Sequence, residues 1–129
     1  MRNNLVACLT AWVVFSVLPG AAFAHHGGAA YDTSKMTTVT GTVTEFEFTN
    51  PHVIIGMDVK DPATGKIEKW QGELTSPNHL SRVGWTKDTI KVGDGLTMSG
   101  AALKSGAAAM AIRKIMKNGE EISTSGGDN

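Results

Sequence analysis

Apolar and polar residues alternate along most of this chain, and the departures from alternation are informative. The first is an apolar stretch, Leu5–Leu18, behind Arg2. Pro19 and Gly20 end it, and Ala22-Phe23-Ala24 sets small residues at the positions a signal peptidase reads. The run is too short to span a bilayer and a cleavage site follows directly, so residues 1–24 read as a cleaved signal peptide. Cutting after Ala24 makes His25 the new amino terminus. Residues 25–37 are rich in Gly, Ala, Ser and Thr and read as a flexible leader.

Strand patterning begins near Thr38. Val39, Gly41 and Val43 share one parity, whereas Phe46 and Phe48 share the other. A parity switch inside one strand predicts a bulge near Thr44–Glu45, a device that curls a sheet. After the Asn50-Pro51 turn, Val53, Ile55, Met57 and Val59 alternate as a second strand. Asp61–Lys66 is a Pro- and Gly-bearing hairpin loop into a third strand, Ile67–Leu74, with Trp70, Gly72 and Leu74 on one face. Ser76-Pro77-Asn78 starts a short helix, with a hydroxyl at the N-cap and Pro in the first turn. Leu80 and Val83 form its buried stripe and Gly84 stops it. A fourth strand runs Leu96–Leu103. The last main strand, Ala107–Met116, is apolar almost throughout, so its two faces cannot be assigned by parity. Asn118-Gly119 is a tight hairpin signal before a short Glu121-Ile122 segment. Three strands, a helix and two strands predict a mainly β domain over residues 38–122, a five-stranded OB-like barrel. A sandwich would give a similar string. The polar tail, 123–129, is expected to be disordered.

The ordered set Ala24-His25-His26, Gly41-Thr42-Val43-Thr44, Thr49-Asn50-Pro51-His52, Ser76-Pro77-Asn78, Gly84-Trp85-Thr86-Lys87-Asp88 and Gly93-Asp94 resembles a family of small exported bacterial proteins, domain of unknown function 6152. The resemblance implies export and one barrel-like domain, and brings no activity with it. The chain departs from the family pattern where Gly27–Ala30 carries no aromatic residue and where the fourth strand ends Gly100-Ala101-Ala102.

Composition narrows the functional classes. The chain has 129 residues, 12 basic and 12 acidic. Loss of residues 1–24 removes Arg2 and no acid, leaving 105 residues with 11 basic and 12 acidic side chains. No clustered positive field favours nucleic acid, which is not expected as a partner. The single cysteine, Cys8, falls in the signal peptide, so the mature chain has neither disulfide nor thiol chemistry. No second apolar run of spanning length follows. A periplasmic protein is expected.

The histidines are the main chemical candidates. His25, at a processed terminus, offers its α-amine and imidazole to one metal ion, with His26 beside it. These groups titrate near ~8 and ~6.5, and such nitrogen-rich sites suit Cu(II). His52 or His79 completes the set if the leader folds back. His52 sits at the start of the second strand, opposite in parity to the core stripe. Two roles are open to it, a ligand role and a hydrogen bond to a nearby carbonyl that stabilises the turn. Trp70 and Trp85 are read as core plugs ahead of stacking platforms. Glu45 and Glu47 face the same way and read as a solvated strand face. Met57, Met98, Met110 and Met116 read as core ahead of Cu(I) ligands. No complete catalytic set is visible, although convergence of Glu73, His52 and Asp58 would favour an enzyme. The expected function is a non-enzymatic periplasmic binding module for a small ligand, metal or partner protein. The alternative is a copper-binding protein using His25, His26 and His52.

Overall fold

The computed structural model describes residues 27–125. The expected signal peptide, His25, His26 and residues 126–129 lie outside that range. Within it the chain forms β1 (Thr37–Glu47), β2 (Ile54–Lys60), β3 (Ile67–Glu73), α1 (Pro77–Ser81), β4 (Gly95–Ala102), β5 (Ala109–Lys117) and β6 (Glu120–Ile122). The sheet order is β3-β2-β1-β4-β5-β6, and a parallel pairing of β3 with β5 closes the first five strands into a barrel. Gln71, Gly72 and Glu73 make that closure against Ala109, Met110 and Ala111. The fold is therefore the expected OB-like barrel, with β6 added at the far half of β5.

β1 is long because it serves both sides of the barrel. Its first half pairs with β4, from Thr37↔Gly100 to Thr42↔Gly95. Its second half pairs with β2, ending Glu47↔Ile54. The register shifts between Val43 and Glu45, so Thr44 is the extra residue of the expected bulge. The shift lets Val43 and Phe46 both turn inward and sends Glu45 and Glu47 outward. Gly41 lies where β1 crosses close to β2, and a Cβ there would overlap the Asp58 carbonyl oxygen.

A second irregularity explains the unreadable faces of β5. Gly100 pairs with Ile112 and Ser99 with Lys114, which leaves Arg113 as an extra residue. Met110 and Ile115, five apart, consequently both reach the core. Gly100 touches the opposite backbone so closely that a Cβ would overlap the Ala111 carbonyl oxygen. A small residue is required there.

Val43, Ile55, Met57, Leu96, Met98, Met110 and Ile115 fill the interior, all at most 2% exposed. Burying each side chain of this size contributes about 1.5–3 kcal/mol. Three of the four methionines are thus core, as expected, while Met116 is half-buried. The helix closes one end of the barrel. Ser76 caps it by accepting from the His79 amide at 3.4 Å, and Leu80 is fully buried. Trp85 follows as a true core plug, 2% exposed, with its ring 6.3 Å from Phe46. Its indole Nε1 donates to the Ser123 carbonyl at 2.7 Å, so the start of the expected tail is fastened to the barrel end. Trp70 departs from the core-plug expectation. It packs only on the edge of the core and donates from Nε1 to Glu68 at 2.8 Å.

The Gly93-Asp94 motif clamps the bulge. The Val43 amide donates to the Asp94 carbonyl, and the Gly93 amide donates to the Val43 carbonyl. The Asp94 carboxylate accepts from the Lys91 amide at 2.8 Å and pairs with Lys117 Nζ at 2.9 Å. The hydrogen bond from Lys117, followed by that from Lys91, holds the Asp94 carboxyl below its ordinary value.

Candidate cleft on the β2–β3 face

In OB folds the ligand face is the surface of the second and third strands, between the β1–β2 and β4–β5 loops. This chain has a cleft of about 680 Å³ at that place. One wall is the outward face of the barrel. β1 contributes Glu45 and Glu47, β2 contributes Ile54, and β3 contributes Lys69, Gln71 and Glu73. Thr49, Asn50, Pro51 and His52 form one rim, from the β1–β2 loop. Leu103 and Ala107–Met110 form the other, an apolar rim of small residues.

The rim histidine is held by local structure. The Asn50-Pro51 peptide is cis, and the chain then enters β2 beside the end of β3. The Val53 amide donates to the Thr75 carbonyl and the Leu74 amide to the Val53 carbonyl. This fixes His52 with Nδ1 3.1 Å from the Leu74 carbonyl oxygen and 3.3 Å from Glu73 Oε1. A carbonyl only accepts, so Nδ1 is the donor in this contact. The turn-stabilising hydrogen bond expected for His52 is present, and it leaves the histidine on the cleft rim.

Tyr31 supplies a contact that the sequence reading missed. Its hydroxyl donates to Glu73 Oε2 at 3.2 Å, so one carboxylate is shared by Tyr31 and His52. Burial, then the charge of Glu73, then the hydrogen bond to it push the Tyr31 phenol above its ordinary value. The residue reaches Glu73 because the segment before β1 lies along the β4–β5 loop. Gly28–Ala30 make a single 3-10 turn, Tyr31 bridges to Leu103, and the Asp32 amide donates to the Ala102 carbonyl. Lys104 fastens the turn, its amide donating to the Ala30 carbonyl and its Nζ to the Ala29 carbonyl. An aromatic side chain thus stands at the cleft one residue beyond Gly27–Ala30. Tyr31 is the chain's single tyrosine, and that rarity was the available signal.

The other candidates fall elsewhere. Glu73 and His52 converge but Asp58 does not join them; it pairs with Lys69 Nζ at 3.0 Å. His79 is exposed on α1, away from the cleft lining. His25 and His26 lie outside the described residues. Among the described residues no group of three or more His, Cys, Asp or Glu is placed to hold a metal ion. Among them, too, no helix is long and apolar enough to cross a membrane.

The fold and cleft define a small OB-like β-barrel protein with a cleft on its β2–β3 face. The chain belongs to a family of unknown function, DUF6152, whose model matches residues 13–113. No curated protein matches the sequence. The barrel is similar to a crystal structure of the mitochondrial single-stranded DNA binding protein Rim1 from S. cerevisiae. The likeness has a TM-score of 0.50 at 8% identity and covers 65% of this chain and 93% of that one. A crystal structure of the same yeast protein labelled with selenomethionine gives a TM-score of 0.48 at 9% identity, over 71% and 97%. At such identity the likeness concerns the fold.

Proposed function

We propose that this chain is an exported, non-enzymatic binding module of the periplasm that holds a small ligand in the β2–β3 cleft. The observation that carries the reading is the Tyr31–Glu73–His52 set. Three side chains from the leader, β3 and the β1–β2 loop are fixed to one another at a cleft of about 680 Å³. That size lies within the range of small-molecule sites, and a few oriented polar groups beside an apolar rim are what such sites need. Export rests on the signal-like residues 1–24. The yeast neighbour is a single-stranded DNA binding protein by name; the three glutamates along this cleft weigh against a polyanion here. The test is nuclear magnetic resonance of the mature chain titrated with the small-molecule fraction of its host's periplasm. Shifts at Ile54, Gln71, Glu73 and Ala108 are expected. Binding that leaves these amides unmoved contradicts the reading.

One observation favours a second reading, copper binding through His25, His26 and His52. The Nδ1 contact with Leu74 and Glu73 resembles the outer-shell support given to metal-ligating histidines, with Nε2 as the ligand atom. On this reading, mature protein beginning at His25 binds Cu(II) tightly. A variant with one extra residue before His25 loses the terminal amine chelate, and equal affinity in the two proteins refutes it.

A further inference from the structure

We infer that the cleft selects a small organic cation, an ammonium or guanidinium group carried on a short aliphatic body. The inference rests on the cleft being the ligand site, and adds the chemistry of what enters it.

The cleft holds both halves of such a ligand's complement. Glu45, Glu47 and Glu73 project along its strand wall, two of them because the Thr44 bulge turned them outward. The cationic lining residue Lys69 is already paired with Asp58, which lies outside the lining. Among the described residues, neither Glu45 nor Glu47 makes an ion pair. The strand wall therefore carries negative charge that the protein leaves for an incoming donor. Charge-assisted hydrogen bonds to carboxylates are the strong ones, and guanidinium and ammonium groups supply them. Across the cleft, Leu103 and the alanines of the β4–β5 loop offer small apolar contacts for methylene groups. A carboxylate or phosphate ligand would meet three like charges at the same place. Nucleic-acid grooves on this fold need the opposite sign.

The experiment is isothermal titration calorimetry of the mature chain with agmatine, adipate, calcium chloride and a short thymidine oligonucleotide. Amide shifts at Gln71 and Ala108 are followed in parallel. Agmatine is expected to bind and move both amides, and adipate and the oligonucleotide to give no heat. The E45Q/E47Q double variant, with folding checked by its amide spectrum, is expected to weaken agmatine about tenfold. K69Q is expected to bind agmatine at least as well as the parent. Absence of agmatine binding overturns the inference, as does unchanged affinity in E45Q/E47Q, or calcium binding in its place. A neutral or anionic ligand that moves the Gln71 and Ala108 amides overturns the cation and keeps the cleft. A ligand that binds without moving them overturns both.

Discussion

Replacing Asp94 by Asn tests how the barrel holds its bulge. Asp94 joins three parts of the chain: its carboxylate reaches the turn before β4 through the Lys91 amide and β5 through Lys117, and its backbone carbonyl accepts from the Val43 amide of β1. Asn keeps the shape and one acceptor but removes the charge. The Lys117 pair is about three-quarters buried, with side chains 26% and 24% exposed. A charge-assisted hydrogen bond in that setting falls between an exposed ion pair and a buried one, so the loss is about 1 kcal/mol near pH 7. In a domain of this size that is a fall of roughly 4–8 °C in Tm. The sign of the pH dependence follows from the depressed pKa. Asp94 binds its proton less readily folded than unfolded, so its contribution is complete above the unfolded value and disappears as pH falls through the folded one. Urea denaturation of parent and D94N should therefore show a gap at neutral pH that closes below about pH 4. A gap of equal size at low pH, or none at neutral pH, would refute the electrostatic account of this clamp.

Further outcomes follow from the same geometry. Gly41→Ala sets a Cβ against the Asp58 carbonyl, a backbone group that cannot rotate away, and should cost about 1–3 kcal/mol by chemical denaturation. Gly65→Ala acts on an exposed loop with φ +71°, where a Cβ meets only the Lys60 side chain at an ordinary 3.8 Å, so its smaller, strain-only loss is the control. Tyr31→Phe removes the hydroxyl shared with Glu73 and should cost about 1 kcal/mol, with faster hydrogen exchange at the Asp32 and Lys104 amides. Unchanged exchange there would mean that the leader is held by its backbone contacts alone.

Much of the barrel was legible because alternation reports which way a side chain faces. The parity switch between Val43 and Phe46 located the Thr44 bulge, and Ser76-Pro77 and Asn118-Gly119 located the helix and the last hairpin. Asn118 and Gly119 both take positive φ, 53° and 80°, as that turn requires. The β5 bulge at Arg113 was illegible because Gly100, Ala101 and the alanines opposite carry too little side chain to mark a face. Trp70 misled for a different reason: its parity is inward, opposite Met57, but it is only partly buried at the margin of the core, where Glu68 satisfies its indole. The family motifs proved to be mostly scaffold. Ser76-Pro77 caps a helix, Trp85 plugs the barrel and Asp94 clamps a bulge, whereas Asn50-Pro51-His52 lies on the cleft rim. The cleft itself depends on contacts far apart in sequence. Tyr31 meets Glu73 across 42 positions, and a leader of small polar residues gives no local sign of that meeting.

The account stands on the cleft being occupied in the cell. Native mass spectrometry of protein purified gently from its host measures this directly, alongside the same preparation of Ala108→Trp, which fills the cleft from the β4–β5 rim. The account predicts a chain beginning at His25 with a small non-covalent companion that the Trp variant lacks. A bare mature chain, or a companion retained undiminished by the filled variant, would contradict it.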